Sequence, residues 1–230
     1  MSELSKVAFV VPTKNRVAWI GECLTSIMDQ TVKDIEIIIV NDGSDDGTKE
    51  FLDEWATKDP RVIVVHNEAS VGGGASRNIG MNMAAAPIIC IMDDDDVAPE
   101  DRAEVTLRWF NEHPESELVQ FPYMRIGYFG EHLEPFWGSE FDYDGFKKNG
   151  AINYFCNPSV GVKTASLKDI GGYPSETKEK TDDVQFVENW IKAGKKIEFD
   201  RRAFGVLHRV MPRSMMSHHR GWNPAWVGSN

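Results

Sequence analysis

Four consecutive aspartates, Asp93 to Asp96, directly follow the apolar run "IICIM". Adjacent carboxylates repel, and taking them out of water is costly unless a positive charge compensates. A divalent cation is one such charge. A solvated acidic loop is the plainer alternative, and it explains poorly why the run ends a strand-like segment. Mg2+ or Mn2+ takes oxygen ligands, commonly one or two carboxylates with substrate phosphates. Such an ion neutralises the charge that grows on a diphosphate leaving group. In an extended chain Asp93 and Asp95 face the same way, so one can hold a ribose or a metal-bound water while the other binds the metal. Asp94 and Asp96 then point elsewhere or begin a turn.

Two further stretches could bind a nucleotide. In "VNDGSDDGT", Gly43 and Gly47 permit backbone angles closed to other residues, and Asp42 could accept a hydrogen bond from a ring N–H. The competing reading is an Asx-type turn that caps the next helix through Ser44 or Asp45. "SVGGGASRNIG" is Gly-rich and enters a helix. It could let the backbone near Gly74 approach a phosphate, with Arg77 as a cation for a base carbonyl or a phosphate. It fits neither the dinucleotide fingerprint nor a Walker loop. Asp182 and Asp183 open a late helical pattern, where capping is the ordinary role of such residues. Among the histidines, His208 is the first candidate for a metal ligand, with His218 and His219 as alternatives. Arg209 and Arg213 could meet a diphosphate, and Trp222 and Trp226 could form a lid or a contact surface.

The elements that must position these residues follow a simple pattern. "KVAFVVPT", "DIEIIIVNDGS", "RVIVVHN" and "PIICIMD" are short buried strands, apolar on both faces. Helical stretches separate them: "RVAWIGECLTSIMDQT", with Val17, Ile20, Leu24, Ile27 and Met28 on one stripe, then "GTKEFLDEWATKDP" and "GGGASRNIGMNMAAA". This alternation predicts an α/β fold with a mainly parallel central sheet covered by helices. In open sheets of this kind ligands bind beyond the carboxyl ends of the strands, where "PTKN", "NDGSDDGT" and "DDDD" all fall. Past residue 100 the pattern loosens. "PEDRAEVTLRWFNEHP" predicts a helix and "LVQFPYMRIGYF" a strand. "SVGVKTASLKDIGGY" predicts a strand and a short helix, and "TDDVQFVENWIKAGKKIEFD" a helix stopped at Gly194 and then a strand. The aromatics from Phe136 to Phe155 suit sugar stacking, with a core role as the alternative. No linker divides the 230 residues. They read as one domain, with residues 1–100 as a nucleotide half, 101–210 as an acceptor half and 211–230 as a tail.

Bulk properties narrow the function classes. With 41% hydrophobic and 27% charged residues the chain is an ordinary globular protein. A net charge of −11 and the lack of a basic run argue against a nucleic-acid partner. The three cysteines have no metal-binding spacing and do not make a disulfide scaffold, so a reducing compartment is expected. No signal peptide and no run of about 20 apolar residues is present. The expected location is cytoplasmic, with a peripheral contact at the inner face of a membrane left open.

Taken in order, "VVPTKN", "VNDGSDDGT", "GGGASRNIG" and "IMDDDDVAPE" resemble the family 2 glycosyltransferases of the GT-A fold. The likeness is strong from residue 6 to about 100 and weaker to about 210. It implies a metal-dependent, inverting sugar transferase that uses a nucleoside diphosphate sugar, most readily a UDP-sugar, with Mn2+ or Mg2+ and a carbohydrate or glycoconjugate acceptor. By the resemblance Pro12, Thr13, Asn15, Asp42, Gly74 and Arg77 bind the nucleotide together with Asp93 and Asp94. Asp95, Asp93 and a late histidine, here His208, hold the metal. The extra Asp94 sits at the centre of the family's Asp-x-Asp. An acidic pair after a "GGY"-like turn supplies the base. Here that turn is Gly171, Gly172 and Tyr173, and the pair is Asp182 and Asp183, with Asp183 as the base. Two rival readings were a nucleotidyltransferase that makes an activated sugar and a non-catalytic sugar- or nucleotide-binding module. The first is disfavoured because "VVPTKNR" lacks glycine; the second would need no acidic pair.

Overall fold

A computed structural model describes residues 6–136, 138–149, 155–175 and 181–210. In chain order its elements are β1 (Val7–Thr13), α1 (Ile20–Met28), β2 (Ile35–Asn41), α2 (Thr48–Lys58), β3 (Val62–His66), α3 (Gly73–Met83), β4 (Ile88–Ile91) and α4 (Arg102–Glu112). There follow β5 (Leu118–Gln120), β6 (Tyr123–Ile126), β7 (His132–Phe136), α5 (Tyr143–Asn149), β8 (Val160–Lys163) and α6 (Thr164–Asp169). The last are α7 (Asp182–Lys192), β9 (Glu198–Phe199) and β10 (Val206–Arg209).

Seven strands form one sheet in the order β3-β2-β1-β4-β8-β5-β9. β1 lies between β2 and β4, parallel to both, with Val7 opposite Ile35 on one side and Ile88 on the other. β3 extends the parallel part, while β8 runs antiparallel to β4 and β5. This is the predicted α/β architecture. The continuous apolar strands are explained by burial on both faces. Val7, Phe9 and Val11 pack with Ile20, Leu24 and Ile27 of α1, Leu52 of α2 and Trp109 of α4. Their neighbours Ala8 and Val10 turn the other way, into a core with Met81 of α3, Leu167 of α6 and Phe186, Val187 and Trp190 of α7. Helix α3 lies close against the sheet at Gly80, where a Cβ would come 2.7 Å from a Val10 methyl.

Three expectations change. "LVQFPYMRIGYF" is not one strand: Pro122 breaks it into β5, in the large sheet, and β6, in a separate three-stranded sheet ordered β10-β6-β7. Proline has no N–H to continue a ladder. Helix α1 starts at Ile20, so Val17 falls in a preceding turn and is exposed rather than on the buried stripe. Phe141, Phe146 and Phe155 are buried in the core around Phe186 and Trp190, which rules them out as a sugar-stacking surface. Trp137 and Tyr154 lie outside the described residues. Among the described residues no helix is long and apolar enough to cross a membrane.

Candidate functional site

The loops beyond β1 and β2 are knitted together. Pro12 and Thr13 pair in register with Val40 and Asn41. Asn15 adopts a left-handed backbone (φ 55°); its N–H donates to Ser44 Oγ at 2.9 Å and its Oδ1 accepts from the Asp45 N–H at 2.9 Å. Asn41 Oδ1 accepts from the Ser44 N–H, three residues on, at 3.2 Å and so closes this turn. Neither Ser44 nor Asp45 caps α2: its N-cap is Gly47, and the N–H of Thr48, its first residue, donates to Asp46 Oδ1 at 3.0 Å.

Asp42 is used differently from the expected contact with a base edge. Its carboxylate is buried and takes four donors: Asn67 Nδ2 at 2.9 Å, Val71 N at 2.8 Å, Ser70 Oγ at 2.6 Å and Gly72 N at 2.9 Å. A carboxylate has about four lone-pair positions, so Asn67 and the start of the glycine-rich loop, Ser70 to Gly72, fill them. Burial would raise its pKa, but the bonds from Ser70, Val71, Asn67 and Gly72 outweigh burial and hold it at about 2. Gly74 also departs from expectation. A Cβ there would sit 2.4 Å from the Pro174 carbonyl, so the close approach that glycine permits is to protein, not to a phosphate.

The aspartate run is a turn, with the Asp96 N–H donating to the Asp93 carbonyl at 3.3 Å. The alternation of an extended chain therefore does not apply, and the four side chains diverge. Asp93 Oδ1 meets Arg77 Nη2 at 2.7 Å. Asp94 pairs with Arg16 at 3.4 Å. Asp96, fully buried, accepts from His208 Nδ1 at 3.1 Å and from the Arg209 N–H at 2.8 Å. Among the described residues the Asp95 carboxylate has no hydrogen-bond or ion-pair partner. Burial lifts Asp94 to about 6 against Thr13 and Arg16, and burial with Asp96, Asp94 and Asp93 lifts Asp95 to about 7. Burial works against a charged His208, but Asp96 raises it to about 9; burial in turn raises Asp96, against His208 and the Arg209 N–H, so the two buried groups are held together by one shared hydrogen bond. The expected donor set of Asp93, Asp95 and His208 does not assemble: among the described residues no three His, Cys, Asp or Glu side chains converge as metal ligands. Arg77 holds Asp93, and Asp96 holds His208.

Arg77 is the hub of the site. Its buried guanidinium bonds Asp93 and, through Nη1, Asp182 Oδ2 at 2.6 Å, joining residues 105 apart in sequence. Burial opposes its charge, but Asp93 and Asp182 make it more basic than an ordinary arginine. Within the chain its Nη1 and Nη2 are both engaged in this bridge. The "GGY" turn is docked beside it. Asn78 Nδ2 donates to the Tyr173 carbonyl and Asn78 Oδ1 accepts from the Tyr173 N–H, both at 2.7 Å. The Tyr173 ring stacks on Phe186 of α7 with centroids 4.5 Å apart. Helix α7 thus begins with its two acids in different states. Asp182 is fixed by Arg77. Asp183 Oδ1 accepts from the Val184 N–H at 2.8 Å and from the Thr181 hydroxyl, while its Oδ2 takes no hydrogen bond among the described residues.

Sequence reasoning missed Asn78 and mistook Arg209. Asn78 meets its partner 95 residues away, which no local spacing signals. Arg209 is not available to a diphosphate. Its guanidinium donates to the carbonyls of Asp95, Gly127 and Tyr128 and to Glu22 Oε2 at 2.6 Å. Arg213, His218, His219, Trp222 and Trp226 lie outside the described residues.

Residues 8–171 match the family described as Glycosyl transferase family 2. The glycosyltransferase GlyG of Streptococcus pneumoniae is 39% identical over 104 residues, which are 45% of this chain and 34% of that protein. TarS of S. aureus, solved with UDP-GlcNAc, superposes with a TM-score of 0.72 at 20% identity, over 94% of this chain and 61% of that one. The mannosyltransferase PcManGT of Pyrobaculum calidifontis, solved with GDP-Man and Mn2+, gives a TM-score of 0.70 at 19% identity, over 94% and 60%. The fold is thus of the GT-A type. The chain spans about a third of the first of these relatives and about three fifths of the two solved chains.

Proposed function

The chain belongs to glycosyl transferase family 2, and from that premise we propose that it moves a sugar from a nucleoside diphosphate sugar, a UDP-sugar in the first instance, to an acceptor hydroxyl with inversion at the anomeric carbon. The observation that carries this reading is the Arg77 bridge. It holds the aspartate turn and the start of α7 together and fixes Asp182, while Asp183 is bonded through Oδ1 and its Oδ2 takes no hydrogen bond among the described residues.

Asp183 is the proposed base. Its Oδ1 is held by the helix N-terminus and Thr181, which orients Oδ2 toward an acceptor hydroxyl. Asp183 takes the proton, the acceptor oxygen bonds to the anomeric carbon, and the bond from that carbon to the diphosphate oxygen breaks on the opposite face. Asp182 and Arg77 position the base. The nucleotide lies beyond β1 and β2, against Pro12, Thr13 and Asn15. Asp42 acts indirectly, by shaping the loop of residues 67–72.

A divalent ion fits this site through a small donor set. Mg2+ or Mn2+ needs one or two protein carboxylates when substrate phosphates complete its shell, and Asp95 is a half-buried carboxylate crowded by Asp96, Asp94 and Asp93, with only the more distant charge of Arg16 to offset them among the described residues. Asp95 would hold it, with the second oxygen of Asp93 beside it. When bound, the ion neutralises negative charge on the diphosphate. The finer assignments, Mn2+ or Mg2+ as the ion and UDP over other nucleotides, rest on the resemblance. Thermal stabilisation by a panel of nucleotide sugars with Mn2+ tests the reading, since a ligand of the native state raises apparent stability. UDP-sugars should give the largest shift, and no shift from any nucleotide sugar would refute the proposal.

A further inference from the structure

Among the described residues, large exposed aromatic side chains occur outside the stretch from Phe136 to Phe155. Phe129 is 90% exposed and Tyr128 is 38% exposed. Both sit at the tip of the β6–β7 hairpin, where Gly130 has φ 86° and the Gly127 N–H donates to the Glu131 carbonyl at 2.8 Å. Tyr128 meets Trp19, which precedes α1, edge to face at 4.7 Å, and meets Phe129 at 4.9 Å.

Arg209 fastens this cluster to the site. Its guanidinium lies 5.1 Å from the Trp19 ring and donates to the Gly127 and Tyr128 carbonyls at 3.2 Å, while its Nε donates to the Asp95 carbonyl at 2.9 Å. The aromatic cluster and the aspartate turn are therefore one guanidinium apart.

Resting on the glycosyl-transfer reading, we propose that Trp19, Tyr128 and Phe129 form the platform on which a neutral carbohydrate acceptor stacks. Two features favour a sugar over other occupants. The Phe129 ring, 90% exposed, offers a face to the apolar side of a pyranose, while Tyr128, at 89° to it, and Trp19 brace it edge-on. Its charged rim is acidic: Glu22, exposed beside Arg209, and Glu131, whose Oε2 accepts from the Phe129 N–H at 3.1 Å. Carboxylates accept hydrogen bonds from sugar hydroxyls but repel anionic lipid headgroups. The chain's net charge of −11 acts in the same direction. Phe129 makes the outermost contact and Tyr128 orients it.

The test is saturation-transfer NMR on the full chain with UDP and Mn2+, using maltohexaose, cellohexaose, mannohexaose and N-acetylchitohexaose as probes. At least one probe should bind, Phe129→Ala should weaken it about tenfold or more, the loss expected for one aromatic side chain, and Phe129→Trp should restore it. Phe129 is exposed, so these variants keep the fold, and calorimetry with UDP reports the donor site in the same samples. UDP binding with no bound probe, or with equal binding by wild type and Phe129→Ala, overturns the platform. So does Phe129-dependent sedimentation with phosphatidylcholine vesicles in place of probe binding. Failure of wild type to bind UDP would instead overturn the glycosyl-transfer reading beneath it.

Discussion

At the end of β4 four neighbouring aspartates part company, whereas at the start of α7 two stay side by side. Each group solves the same repulsion with what its backbone offers. A strand end has no surplus donors, so Asp93 recruits Arg77, Asp94 recruits Arg16 and Asp96 recruits His208 and the Arg209 N–H. Asp95 is left in tension. A helix N-terminus has free N–H groups and a favourable dipole, so Asp182 accepts from the Asp183 N–H and Asp183 from the Val184 N–H. Only one side chain from elsewhere, Arg77, is needed. In both groups the partners fix the neighbours and, among the described residues, leave one carboxylate with an unbonded oxygen; in the proposed mechanism Asp95 takes a cation and Asp183 a proton.

The largest expected effect falls on the pair. Asp183→Asn keeps the side-chain size and the Oδ1 bonds but cannot take a proton. It should lower sugar transfer by about 10²–10⁴-fold, the usual loss with a general base, and leave UDP affinity unchanged. Donor hydrolysis serves as the assay where the acceptor is unknown. Asp182→Asn should reduce turnover less and lower the melting temperature more, because it loosens the Arg77 bridge. Equal turnover by wild type and Asp183→Asn would remove the distinction between the two acids.

Next comes the bridge that ties the groups together. Arg77→Met leaves Asp93 and Asp182 facing each other without their shared cation. The expected cost is about 3 kcal/mol in urea unfolding, the low end for a broken buried pair because both carboxylates keep some solvent. A variant as stable as wild type would mean that the two groups are held together by packing alone.

The smallest of these effects concerns Asp42 and is read from pH. Its folded pKa is about 2, below the 3.8 of an ordinary aspartate. Its contribution is therefore fully present above about pH 4 and is lost as pH falls through 2. A shift of this size is worth about 2 kcal/mol. Asp42→Asn should be less stable than wild type by that amount at pH 7, and the gap should close between pH 4 and pH 2. A gap that does not change with pH would show that shape, not charge, holds the loop of residues 67–72.

The first hundred residues were readable because parallel strands buried on both faces are written as unbroken apolar runs, and the turns that follow them carry the chemistry. That reasoning located β1 to β4 and the loops at their carboxyl ends. It failed where the outcome depends on distant partners. Whether Asp42 faces a ligand or the loop of residues 67–72 is decided by Ser70 and two backbone N–H groups. Whether Asp93 and Asp95 face together is decided by a turn and by Arg77. His208 reaches Asp96 from 112 residues away and Arg209 reaches Glu22 from 187, and β10, which carries both, is too short to show a period. The aromatic stretch from Phe136 misled because composition does not separate a core ring such as Phe146 from an exposed one such as Phe129.

The central claim is that Asp95 serves the donor and Asp183 serves the acceptor. Calorimetric titration of UDP, with and without Mn2+, into wild type, Asp95→Ala and Asp183→Asn tests it in one series. The account predicts Mn2+-dependent binding by wild type and Asp183→Asn at the same affinity, and loss of the Mn2+-dependent part in a folded Asp95→Ala. Identical Mn2+-dependent binding by Asp95→Ala and wild type would contradict it.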